Sequence, residues 1–180
     1  MKLRKTLAAS VLAITSTFTL ATQIDHDNPQ VKMVVSQIQA QHERSEELRQ
    51  QIAWERAPIK TREALEALLE GESPLDMLSA SGKERFAQSI VFREKGLGGF
   101  NSGDLTGELT PTQIHRILSL FGAQYIVSKF SGMRIETKLD AMLAGVKLIS
   151  FAKDYQGYYC QSRGTCKKAE SNDYICMSGC

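Results

Sequence analysis

GLGGFNSGDLTGELTPTQIHRILSLFG, residues 96–122, sets the reading of the whole chain. Its second half carries the marks of a helix. Thr110 is a good N-cap, and Pro111 suits the first helical position, where its missing N–H would have had no partner anyway. Ile114, Ile117, Leu118 and Phe121 recur at helical spacing and make one apolar face. Gly122 can end the helix in a left-handed conformation. The first half holds Gly96, Gly98, Gly99, Gly103 and Gly107, which permit tight turns or the close approach of another group. Residues 96–107 therefore read as a glycine-rich loop between helices. The fold class that follows is mainly α: a small helical domain with an N-terminal polar amphipathic helix and a disulfide-tied C-terminal tail.

Besides a plain connection, two chemistries are open to that loop. The backbone at Gly98 and Gly99, together with the N–H groups of the helix that Thr110 caps, would cradle a small anion. No Lys-Ser or Lys-Thr follows the glycines, so a nucleotide P-loop is excluded. Asn101, Asp104 and Glu108 are oxygen donors of the kind calcium takes, but the glycine and the terminal glutamate of an EF-hand do not fall at the required spacing.

The chain's first residues have the pattern of a secretory leader. Lys2, Arg4 and Lys5 precede an apolar and small-residue run over 7–20, and Thr19-Leu20-Ala21 places small residues where a signal peptidase reads. The run is shorter than the roughly 20 residues a bilayer span needs, so an uncleaved anchor is the alternative rather than the expectation. The expected domains are a signal peptide over 1–21, a polar helical extension over 22–58, a helical core over 59–152 and a Cys-rich tail over 153–180. Without the leader, 19 Lys and Arg face 20 acids. Residues 22–110 are net acidic, 111–180 net basic, and the basic residues are not interleaved with aromatics, so no nucleic-acid footprint is present.

Cys160, Cys166, Cys176 and Cys180 are the only cysteines. An even count in an exported chain reads as two disulfides. The competing four-cysteine zinc site wants short paired knuckles, and only the last pair has that spacing. Three connectivities are open. A turn over 167–172 favours the nested pairing Cys160–Cys180 and Cys166–Cys176.

Along the mature chain, Pro29 opens a long Gln-rich helix. Its Val31, Val34, Ile38, Ser45, Leu48 and Ile52 follow a loose heptad, and Ala57-Pro58 ends it. Thr61 caps a helix with Ala64, Leu65, Leu68 and Leu69 on one face, ended by Gly71. Ser73-Pro74 starts a short helix. Ser81-Gly-Lys-Glu84 reads as a capping box for a third, carrying Phe86, Ile90 and Val91 to about Lys95. Residues 136–144 are helical by the spacing of Leu139, Met142 and Leu143. Residues 146–151 read as a strand or as a continuation of that helix.

No complete catalytic constellation is present. His42-Glu43 lacks the second histidine of a zincin, and no G-x-S-x-G elbow occurs. His26 lies in a polar N-terminal cluster, and His115 flanks the apolar stripe of its helix. Glu72-Ser73, followed by Gly96-Leu-Gly-Gly, resembles the catalytic stretch of lytic transglycosylases, which use a Glu-Ser and a later Gly-Leu-Met-Gln-like segment. The Met-Gln half is absent here and no later aromatic signature follows. The resemblance implies a cell-wall glycan-active enzyme with Glu72 as acid and base. The leading expectation is instead an exported bacterial, non-enzymatic interaction or structural module. It would need no cofactor and no metal, would have no stable membrane span after signal cleavage, and would meet a protein or cell-envelope partner.

Overall fold

A computed structural model describes residues 29–94, 96–145 and 154–180. The expectations placed on residues 1–28, on Lys95 and on 146–153 lie outside the described residues. The chain divides into two compact units, Met1–Ser36 and Gln37–Cys180. Of the first, the described part is helical from Pro29 onward, with Met33, Val34 and Val35 exposed.

In the second unit, the helix begun at Pro29 (α1, Pro29–Arg56) runs to its end just before Pro58. There follow α2 (Arg62–Leu69), a 3-10 turn (Pro74–Met77), α3 (Ala80–Ser89), β1 (Val91–Arg93) and β2 (Gly96–Asn101). Next come α4 (Gly103–Glu108), α5 (Pro111–Ser119), a second 3-10 helix (Gln124–Lys129) and α6 (Lys138–Gly145). The C-terminal region supplies β3 (Tyr155–Gln156), β4 (Tyr158–Ser162), β5 (Thr165–Lys168) and β6 (Tyr174–Cys176).

The fold is thus not mainly α. The described residues are 55% helix and 16% strand, which makes the chain mixed α/β. The correction centres on the stretch that governed the sequence reading. Gly96–Asn101 is not a loop but the second strand of a four-stranded antiparallel sheet in the order β1-β2-β6-β3. Glycine weakens an isolated strand, having no side chain to pack and more backbone freedom to lose. Here crowding makes it necessary. A Cβ on Gly99 would stand 2.4 Å from the carbonyl oxygen of Ile175, inside van der Waals contact. On Gly98 it would meet Arg93 Cγ, the Val91 oxygen and Cys160 Sγ at 3.1 to 3.3 Å. Gly98 is also where β1 and β2 slip register, and its carbonyl accepts from the Met177 N–H at 2.9 Å. Leu97 and Phe100, between and beside the glycines, enter the core.

The Cys-rich segment is likewise not a tail appended to a helical core, since β6 lies in the middle of that sheet and Ile175 and Cys176 are buried. Both disulfides have the nested connectivity, Cys160–Cys180 and Cys166–Cys176. The hairpin turn sits elsewhere than expected. β4 and β5 reverse around Gly164, which has φ +73°, and Cys160 faces Cys166 across the hairpin. Each of these cysteines bonds away from the other, tying the hairpin to β6 and to Cys180. This disulfide layer replaces much of the apolar packing that so small a sheet lacks.

The helical side is nearer to expectation. Thr110 and Gln113 form a reciprocal capping box at the start of α5, and Gly122 takes φ +68° just beyond its end. Ile114, Ile117, Leu118 and Phe121 are fully buried or nearly so. Phe86 packs edge-on against Phe100 at 5.7 Å and Phe121 at 6.2 Å, joining α3, β2 and α5 in one core. α3 ends at Ser89 rather than near Lys95, and Val91 opens β1. Its cap is Ser79, not Ser81. Ser79 Oγ accepts from Gly82 N–H at 3.1 Å, and Glu108 accepts from both the Ser79 N–H at 2.6 Å and its hydroxyl at 2.8 Å, a tertiary clamp that local sequence could not display.

Candidate functional site

The residues singled out in the sequence are taken up in the fold one by one. Gly98 and Gly99 are strand glycines held against neighbouring backbone. Asn101 Oδ1 accepts from the Gly103 N–H at 2.8 Å, closing the turn that leads into α4. Asp104 receives the Arg85 guanidinium, with Nε 3.2 Å from each carboxylate oxygen. Thr110 is buried and caps α5. Asn101, Asp104 and Thr110 are thus each engaged in hydrogen bonds of the fold itself. Glu72 is exposed in the turn after α2. His115 is partly buried, which pushes its imidazole below the ordinary histidine range. Cys160, Cys166, Cys176 and Cys180 are all disulfide-bonded, so the close sulfur cluster offers no thiolate to a metal.

A cleft lies beside the last turns of α1, where they meet the turn after α5. The approach depends on Gly122. A Cβ there would lie 2.7 Å from the Ala53 carbonyl carbon and oxygen and 2.8 Å from Trp54 Cα. With glycine, α1 settles directly on the turn after α5, and the Ile59 N–H bonds the Leu120 carbonyl at 3.0 Å to hold the exit from the helix. Gly179 plays the same part opposite: a Cβ would stand 2.6 Å from the Leu97 oxygen and 2.8 Å from the Gly96 carbonyl carbon. The C-terminal segment is therefore drawn onto the start of β2.

Between these two approaches lies an open cleft of about 450 Å³. One face of α1 supplies Glu47, Gln50, Gln51, Trp54 and Glu55, the opposite wall Glu94, Gly96 and Leu97, and the floor Phe121, Tyr125, Met177 and Ser178. The α1 residues fall on one side because positions three and four apart share a helix face. Trp54 is partly buried against the core. Lys60 Nζ lies 5.9 Å from its ring centroid and donates to the Glu55 carbonyl at 2.6 Å. Glu47, Glu55 and Glu94 are exposed at the rim. Among the described lining residues there is no Lys, Arg or His.

Beneath the floor runs a polar chain. The nearly sealed carboxylate of Asp154 pairs with Lys129 Nζ at 2.9 Å and accepts from the Ser178 N–H at 3.0 Å. The Ser178 hydroxyl reaches Gln50 Oε1 at 3.4 Å. Burial, and after it the Asp154 charge, push the Tyr125 phenol well above its ordinary range, a hydrogen bond with Ser178 only partly opposing them. Tyr125 is therefore a neutral hydroxyl at any physiological pH. Gln50 Nε2 is sealed from solvent without an acceptor.

The sequence reading missed this site because its parts come from four distant stretches. The local signal was present: Trp54 is the only tryptophan of the chain, one turn before the helix-ending Pro58, with Glu47, Gln51 and Glu55 spaced at four residues. Comparison with protein-family models, with curated proteins and with solved structures finds no match. No helix among the described residues is long and apolar enough to cross a membrane.

Proposed function

We propose that the protein is an exported bacterial binding module, non-enzymatic, acting in the periplasm or at the cell exterior, and that the Trp54 cleft receives a positively charged group. The observation that carries this reading is the cleft's lining: three carboxylates around an apolar floor, with no Lys, Arg or His among the lining residues and with an indole that already draws the Lys60 ammonium to within 5.9 Å of its centroid. Each exposed carboxylate contributes up to about 1 kcal/mol to a bound cation, and the indole, whose ring Lys60 already approaches, adds little beyond that contact. A few kcal/mol in total corresponds to roughly millimolar to high-micromolar affinity for one charge, with more for a ligand of several. Export is supported by the leader pattern and by the two disulfides, which persist in oxidising compartments. Binding is favoured over glycan cleavage because an acid catalyst needs a carboxyl buried enough to keep its proton near neutrality. The rim carboxylates and Glu72 are all exposed.

The single tryptophan makes the test direct. Pentalysine amide is titrated against the mature, oxidised protein while Trp54 emission is followed, with pentaglutamate and a tetramer of N-acetylglucosamine as comparisons. Pentalysine should perturb the emission, more weakly at high salt and in Glu47→Gln with Glu55→Gln, and equally well in Glu72→Gln. A response to the glycan alone, or release of soluble fragments from peptidoglycan that Glu72→Gln abolishes, would overturn the reading.

A further inference from the structure

A second cavity of about 610 Å³ opens on the far side of Glu94, Ser178 and Gly179, residues that line both. Its chemistry is opposite. Arg93 and Arg163 line it, beside Gln161 and Ser162. Arg163 reaches Glu94 only loosely, at 3.6 Å, with both side chains largely exposed. Arg93 is held by the fold, its Cγ 3.1 Å from where a Gly98 Cβ would be, and one terminal nitrogen donates at a long 3.4 Å to the Phe92 carbonyl. Its Nε–H is shut away from solvent and has no acceptor. That Nε–H is itself out of a ligand's reach, but no carboxylate among the described residues pairs with the Arg93 guanidinium, so its charge is uncompensated where it lines the cavity, and a charge-assisted partner there would be an anion. A guanidinium matches a carboxylate in geometry, offering parallel N–H groups where an ammonium offers a point charge.

We propose that the acidic cleft and the arginine cavity form one composite site for a short zwitterionic peptide. An amine-bearing side chain lies along Trp54 among Glu47, Glu55 and Glu94, and a free carboxylate crosses Gly179 to Arg93 and Arg163. Glu94 stands at the junction and exchanges its loose contact with Arg163 for the ligand's cation. The inference rests on the cation-binding reading of the Trp54 cleft and adds to it the requirement for a second, negative group. That requirement excludes simple polyamines as the preferred ligand, because they leave the arginines unpaired.

The experiment compares N-acetyl-Lys-Gly-Gly as the free acid and as the C-terminal amide, titrated against the oxidised protein with Trp54 emission and calorimetry as readouts. The acid should bind about tenfold more tightly than the amide, the ordinary worth of a charge-assisted arginine–carboxylate contact. Arg93→Gln should abolish the difference and leave amide affinity unchanged. Arg163→Ala, at an exposed side chain, should reduce the difference and serves as the deciding variant if Arg93→Gln does not fold. Equal binding of acid and amide, or a difference that survives both substitutions, overturns the composite site while leaving the Trp54 cleft standing. Silence from both peptides, with pentalysine silent as well, removes the cleft and the extension together.

Discussion

Replacing Gly122 by alanine tests how the cleft is made. Two glycines share nearly the same left-handed backbone, Gly122 at φ +68° and Gly132 at φ +75°. They differ in surroundings. A Cβ on Gly132 meets nothing within 4 Å, whereas on Gly122 it meets the Ala53 and Trp54 backbone at 2.7 to 2.8 Å. Alanine in that conformation costs about 1–2 kcal/mol, offset by about 0.4–1 kcal/mol for the freedom it removes from the unfolded chain. Gly132→Ala should therefore destabilise by about 1 kcal/mol or less. At Gly122 the obstacle is helix backbone, which cannot rotate away, so an overpacking cost of about 1–3 kcal/mol adds to the strain and, with the same offset, gives a total of about 1–5 kcal/mol. The relief available is to lift the end of α1, which exposes Trp54. Urea unfolding followed by far-UV circular dichroism gives the two energies, and the emission maximum of Trp54 in the folded state reports the displacement. Gly122→Ala should show a red shift and Gly132→Ala none. Equal destabilisation of the two variants with unchanged emission would refute the claim that Gly122 seats α1.

Loss of the Cys160–Cys180 bond, by Cys160→Ser with Cys180→Ser, should cost about 3 kcal/mol, the chain-entropy value for a bridge of this span, and lower the urea midpoint accordingly; the two cysteines are 20 residues apart. Reduction of both bonds should do more, since Cys176 is fully buried in the middle strand. Asp140 predicts an acid limb. Its carboxylate takes the Thr112 hydroxyl at 2.6 Å and N–H at 2.9 Å, and the Thr137 hydroxyl and N–H, each at 2.8 Å, pinning the start of α6 to the start of α5. Those bonds, the Thr112 hydroxyl foremost, hold the carboxyl well below its ordinary 3.8. The stability they contribute is complete above that ordinary value and lost as pH falls toward the lower folded one. Asp140→Asn should lower stability at neutral pH and flatten its decline with acid; an acid limb of unchanged slope would remove Asp140 as its source.

How much of this was legible depended on how far apart the partners lie. α5 could be read whole, because Thr110, Pro111, the four apolar residues and Gly122 each act within a turn or two of where they stand. The disulfides could be read from cysteine count and compartment. The sheet could not. β6 and β3 are three and two residues long, too short to show alternation, and the strand that β6 joins lies some seventy residues earlier. GLGGFN does not look like a strand because glycine's usual meaning is conformational freedom, whereas here it answers a lack of space. The tightest of the contacts that crowd these glycines, with the Ile175 carbonyl, comes from far along the chain, and the ones from Val91 and Arg93 arise only once β1 and β2 have paired.

The same physics accounts for the hidden site. Gly99, Gly122 and Gly179 each let one backbone touch another, and together they bring α1, β2 and the C-terminal segment within reach of a single ligand. None of the three can contribute a side chain to binding, so none is a functional residue in the ordinary sense. The groups that would touch a ligand (Trp54, the rim carboxylates and Arg93) look in sequence like the ornament of a polar helix and a short strand. They acquire chemical meaning only through these close approaches. The rim of such a cleft is set by backbone proximity and the C-terminal disulfides, over Leu97, Phe121 and Met177, which belong to the main core. Its binding should therefore be more sensitive than global stability to the oxidation state of Cys160–Cys180, since that bond fixes Gly179 one residue away from the cysteine and with it the wall common to the acidic and basic cavities.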